Sequence, residues 1–151
     1  MAIADRFSSD QWEHILHAPF HAYMHVGGAD GPPIEAQFRR LTEELAAGRE
    51  SFPEGSLGGL VSAALVENLD ALWAGFRAAA RSPKDGLVRA RKVLDKAELD
   101  DSEAIRDWII AVAIGVGEAR RVKGTEAVSP TEAAAINDIA DWLRRPVPQA
   151  D

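Results

Sequence analysis

The chain has no cysteine, one tyrosine and two methionines. It also has no apolar run near the ~20 residues that a membrane-spanning helix needs. Without cysteine there are no disulfides, thiolate metal sites or Cys nucleophiles. Positive charge is in the minority. Seventeen Lys+Arg against 24 Asp+Glu leave a net charge of −7, which argues against general binding to nucleic acid or anionic lipid. Residues Met1 to Arg6 lack a basic region followed by an apolar stretch, so no signal peptide is expected and the cytoplasm is the expected location. Phosphate-binding glycine loops, the Gly-x-Ser-x-Gly elbow and the His-Glu-x-x-His motif are missing. So are Glu-x-x-His pairs, which leaves a di-iron carboxylate bundle unsupported. No segment alternates with period 2 between turn residues, so strands are not expected.

What is present favours helix. There are 27 alanines and 22 β-branched residues in 151 positions. The length suits one domain that buries about 70% of its unfolded surface. An all-α single-domain bundle of about six helices is expected over residues 1–145, with a loose tail at 146–151. Punctuation places the helices near 9–28, 33–47, 57–81, 83–97, 101–121 and 130–144. Ser8 and Gln11 stand at capping-box spacing, as do Asp100 with Glu103 and Ser129 with Glu132. Ser82-Pro83 and Ser129-Pro130 each put a cap before a first-turn proline. Gly48 reads as a helix stop. Leu57, Val61, Leu65, Leu69, Leu72 and Phe76 make one stripe along the third helix. The fifth helix carries Trp108 to Gly117, apolar on every side, and so is expected at the centre of the bundle. Pro19 inside the first helix is expected to kink it.

A weak repeat is also visible. Ile15–Leu45 aligns on Ile105–Leu143, placing Val26-Gly27 on Val116-Gly117 and Pro33-Ile34-Glu35 near Pro130-Thr131-Glu132. Trp12-x-x-Ile15-Leu16-x-Ala18-Pro19-Phe20, then Val26-x-x-Ala29-Asp30-Gly31 and Glu35, resembles the N-terminal hairpin of the TerB-like (tellurite-resistance) helical proteins. Ile109 to Glu118, followed by Val128 to Ile136 and Ile139-Ala140, resembles their second hairpin. The resemblance covers about half the chain. It implies a duplicated helical hairpin, a bacterial origin and a role in a stress-response or membrane-associated complex. It also implies metal binding by acidic residues of the hairpin loops. The second loop departs from that pattern, with Glu118-Ala119-Arg120-Arg121 in place of Ala-Asp-Gly and a longer loop from Val122 to Val128. Only Asp30 and Glu35 match, with Glu132 as the counterpart of Glu35.

Candidate metal ligands are therefore Asp30 and Glu35, whose carboxylates suit Ca or Mg, and the four histidines. His14, His17, His21 and His25 fall on a helical stripe about 80° wide at 100° per residue. The i,i+4 pairs His17/His21 and His21/His25 have the spacing for Zn, Ni or Cu. Trp12, Ile15, Leu16, Pro19, Tyr23 and Val26 centre roughly opposite, so the stripe is expected to face solvent or a partner. Glu67 and Asp70 oppose the apolar stripe of the third helix and read as solvated. Glu118, at the end of the apolar run, is a candidate for partial burial. Arg77, Arg81, Lys84, Arg89, Arg91, Lys92 and Lys96 form the one basic patch. A divalent metal ion is the one cofactor these candidates allow. The first functional expectation is a non-enzymatic interaction module binding a protein partner or another copy of itself. A metal-binding or metal-sensing protein comes second, and an enzyme with a cleft invisible in the sequence third.

Overall fold

Serine caps start four of the helices. The computed structural model describes residues 6–120 and 128–144. The described residues form helices α1 (Ser9–Gly27), α2 (Glu35–Ser51), α3 (Leu57–Glu67), α4 (Leu69–Ala79), α5 (Pro83–Leu94), α6 (Leu99–Ala119) and α7 (Pro130–Leu143), and no strand. Ser8 and Gln11 close a reciprocal capping box, 3.1 and 2.8 Å, as do Ser129 and Glu132, 3.0 and 3.4 Å. Ser56 and Ser82 accept from Gly59 N and Asp85 N. Each satisfies a backbone donor that a helix start leaves unpaired. The expected box at Asp100 is absent. α6 starts two residues earlier, after Glu98, with no side-chain cap. The loop at 121–127 and the tail at 146–151 lie outside the described residues.

Two other boundaries correct the sequence reading. Gly48 does not stop α2, which continues to Ser51. A Cβ there would sit 2.5 Å from Trp108 Nε1, and that nitrogen donates to the Glu44 carbonyl at 3.3 Å. The glycine is a seat for the indole, not a terminator. The expected third helix, 57–81, is two helices bent by 94°. Asn68 is both the last cap of α3 and the first of α4, with φ −126° and ψ 30°. Its Nδ2 donates to the Ala64 carbonyl at 3.2 Å, a bond that competes with helix continuation. The described residues therefore form seven helices where six were expected.

The break lets each half bury a different face. Leu57, Val61 and Leu65 of α3 are fully buried beside α2 and α6, whereas Phe76 of α4 packs on α1. α1 is the hub and touches all six other helices. Its residues Ile15 to Tyr23 are all buried, which is more than two consecutive turns. The helix runs unbroken through Pro19. α6 was expected to hold the centre but leaves Ile114 39% exposed and Ala111 in solvent. Where α1 and α6 end, their glycines face each other's valines. A Cβ on Gly27 would meet Val116 Cγ1 at 3.5 Å, and one on Gly117 would meet Val26 Cγ1 at 3.4 Å.

α5 lies along α1 and is tied at its end to α6. The buried Arg106 donates through Nη2 to Asp95 Oδ1 at 2.6 Å. Removing the carboxylate leaves the buried cation only the distant Glu103, 4.0 Å from its Nη1, which costs more than the pair itself contributes. Asp95→Ala is expected to lower unfolding free energy by about 3 kcal/mol in urea titrations. Adding Arg106→Met to that variant is expected to restore most of the loss. A double variant as unstable as the single one would show that the pair does not act as described.

Candidate functional site

The turn at Asn68 carries α4 across α1 and creates an aromatic wall. Trp73 stacks on Phe76 at 5.3 Å and meets Phe20, Tyr23 and Phe38 edge-on at 5.3–5.7 Å. Such edge and offset arrangements each add to area burial. α4 then ends at Ala80, which takes a left-handed conformation with φ 51°. That reversal brings Arg81 and the start of α5 back beside α1. Between α1, α4, the α5 start and Pro33 lies an open groove of about 460 Å³. Tyr23, Trp73 and Phe76 line it with His21, and Arg77 and Arg81 stand at its edge. Met24 forms part of the lip and is 38% exposed, and Ile34, next to the lining residue Pro33, is 43% exposed.

The histidine stripe does not face solvent as expected. His17 and His21 are 5% and 2% exposed. Phe76 covers them from α4, its ring 5.6 Å from His17 and 4.7 Å from His21, both edge-on. α5 covers His21 from the other side, because residue 86 is glycine. A Cβ on Gly86 would overlap the imidazole ring. His21 Nδ1 is buried with no hydrogen-bond partner. Burial, then the neighbouring His17 and Arg81, push the His21 pKa down to about 4. The ring is therefore neutral at neutral pH. The folded chain refuses a proton that the unfolded chain takes near 6.5, so this group's stabilising contribution is lost as pH falls from about 6.5 toward 4. Burial also lowers the pKa of His17, against the raising effect of Glu13 3.8 Å away. His14 is half-buried and is lowered by burial, then Arg81 and Arg89.

The remaining metal candidates go elsewhere. His25 Nε2 lies 3.1 Å from Asp138 Oδ2, and its ring meets Trp142 at 4.7 Å on α7. Asp30 Oδ2 accepts from Ser129 Oγ at 2.5 Å. Glu35 is exposed and pairs with Arg39 at 3.2 Å. Arg120 donates to the carbonyls of Asp30 and Pro32 at 2.6 and 2.5 Å. The buried Gln37 donates to the Val116 carbonyl at 3.2 Å and faces Glu132 Oε2 at 3.4 Å. Asp30, Arg120 and Ser129 thus clasp the two hairpin ends together. Among the described residues, no three His, Asp or Glu side chains converge on one point. Glu118 is partly exposed, 3.9 Å from Arg40. Glu67 pairs with Arg49 at 2.9 Å, and Asp70 is exposed, as expected of a solvated face.

Compared with known proteins, the chain matches no family model, no curated protein and no solved structure. The groove therefore has to be read from its own chemistry.

Sequence reasoning separated what the structure joins. Phe76 was placed on a continuous core stripe, and Arg77 and Arg81 in a general basic patch. The signal that could have joined them is Asn68, a poor residue for a helix interior, between the charged Glu67 and Asp70.

Gly86 gives a direct check. In an ordinary helix interior, Gly→Ala stabilises by about 1 kcal/mol. Here Gly86→Ala is expected to destabilise by about 1–3 kcal/mol through overpacking against His21. In the His21→Ala background the same change is expected to be neutral or stabilising. Chemical denaturation of the four variants would read this coupling. A stabilising Gly86→Ala in the wild-type background would contradict the packing.

Proposed function

We propose that this chain is a non-enzymatic interaction module of TerB-like type, acting in a bacterial stress-response or assembly complex, with the groove as its contact face. The observation that carries this reading is the make-up of the groove. Tyr, Trp, Met and Arg are enriched where protein interfaces concentrate their binding energy, and Tyr23, Trp73, Met24, Arg77 and Arg81 meet here. The exposed Met24 and Ile34 extend the apolar surface past the groove mouth. The reciprocal fit of Gly27 with Val116 and Gly117 with Val26 supports the duplicated hairpin that belongs to this reading. The metal-binding alternative gains no comparable support, because among the described residues no three of its six candidates converge on one point.

A photo-crosslinking residue in place of Ala80, which lines the groove and is exposed, tests the reading in cells that express the protein. One discrete protein adduct is expected, and Trp73→Ala is expected to remove it. Absence of any Trp73-dependent protein adduct would overturn the proposal.

A further inference from the structure

The groove is positively charged on a chain that is acidic overall. No Asp or Glu lines it, although the chain carries −7 overall. Arg77 forms no ion pair among the described residues, and its side chain is exposed. Arg81 reaches Asp85 Oδ2 at 3.4 Å, but the same oxygen already takes Arg89 Nε at 3.0 Å. One carboxylate is thus shared by two guanidinium groups, and Arg77 adds a third cation. The floor beneath them is apolar and aromatic, and at its base the buried His21 ring has an unpaired Nδ1.

Resting on the interaction-module reading, we propose that the occupant of the groove is a short acidic segment of a partner protein. An aliphatic or aromatic side chain of that segment seats on Trp73 and Phe76, and flanking Asp or Glu carboxylates pair with Arg77 and Arg81. The volume, about 460 Å³, falls within the ~300–1,000 Å³ of sites that take ligands the size of a few residues. An uncharged segment would leave the guanidinium groups with water alone, whereas a basic one would be repelled. Planar guanidinium groups bind carboxylates bidentately, which favours acidic side chains over neutral polar ones. Lys84, Arg89, Lys92 and Lys96 of the basic patch are exposed too, but they do not line the groove, so the apolar anchor distinguishes this site from them.

The test is selection of a phage-displayed random 12-residue peptide library on the intact protein. The protein is used as wild type and as the variant Arg77→Glu/Arg81→Gln. Both arginines are at the surface, and matching thermal unfolding curves would confirm that the variant folds. Enriched peptides are expected to combine Leu, Ile, Phe or Trp with adjacent Asp or Glu. They are expected to bind wild type at least tenfold tighter than the variant, and Arg77→Lys is expected to retain part of the binding. Peptides lacking acidic residues, equal binding to both proteins, or no enrichment would each overturn the inference. Self-association of the wild-type protein that Arg77→Glu abolishes would assign the groove to a second copy and also overturn it. The selection needs no cellular partner. Failure here with a Trp73-dependent adduct in cells would sink the acidic segment alone, and the reverse result would sink the module reading.

Discussion

A helix covered on every face through its middle, as α1 is from Ile15 to Tyr23, has nowhere to put its polar side chains there except into its neighbours. α1 meets that constraint with two histidines inside the protein. Burying a polar ring costs free energy unless it is hydrogen-bonded, and burying it charged costs far more. His21 stays neutral, packs edge-on to Phe76 and fits against α5 only because residue 86 has no side chain. The placement of α5, the approach of α4 and the shape of the groove all follow from how this ring is housed.

The groove is a consequence of the same arrangement. Asn68 turns the chain by 94°, so that the apolar stripe read as continuous is divided between two surfaces. Its first half, Leu57, Val61 and Leu65, completes the core against α2 and α6. Its second half lays Phe76 over α1, with Trp73 stacked beside it and the groove open at one side. The left-handed Ala80 then returns the chain, leaving two arginines at the rim. A straight helix over residues 57–81 would place Phe76 far from His21 and leave no groove.

Much of the fold was legible because it rests on local chemistry. Capping boxes at Ser8 and Ser129 and the cap at Ser82 depend only on residues a few positions apart, and the structure has them where the spacing places them. The core side of α1 was legible for the same reason, from the period of Ile15, Leu16, Tyr23 and Val26. The opposite side was not. A helical wheel records what one helix carries, whereas the burial of His17 depends on Phe76 and that of His21 also on a glycine 65 positions beyond it. Gly48 misled in the same way, since its missing side chain serves Trp108 from another helix rather than a helix end. Asp30 and Glu35, neighbours in sequence, are engaged by Ser129 and Arg39 respectively, a division that spacing alone does not reveal. The groove combines residues from three helices and a loop, so no single motif announces it.

The whole arrangement depends on α1 being buried on all sides from Ile15 to Tyr23 and on His21 being held between Phe76 and Gly86. Titration of the His21 ring protons by NMR tests it most directly. His21 is expected to stay neutral down to about pH 4, far below an exposed imidazole. A midpoint near the ordinary 6.5 would contradict it, because the ring would then lie in water and α4 and α5 could not cover α1 as described.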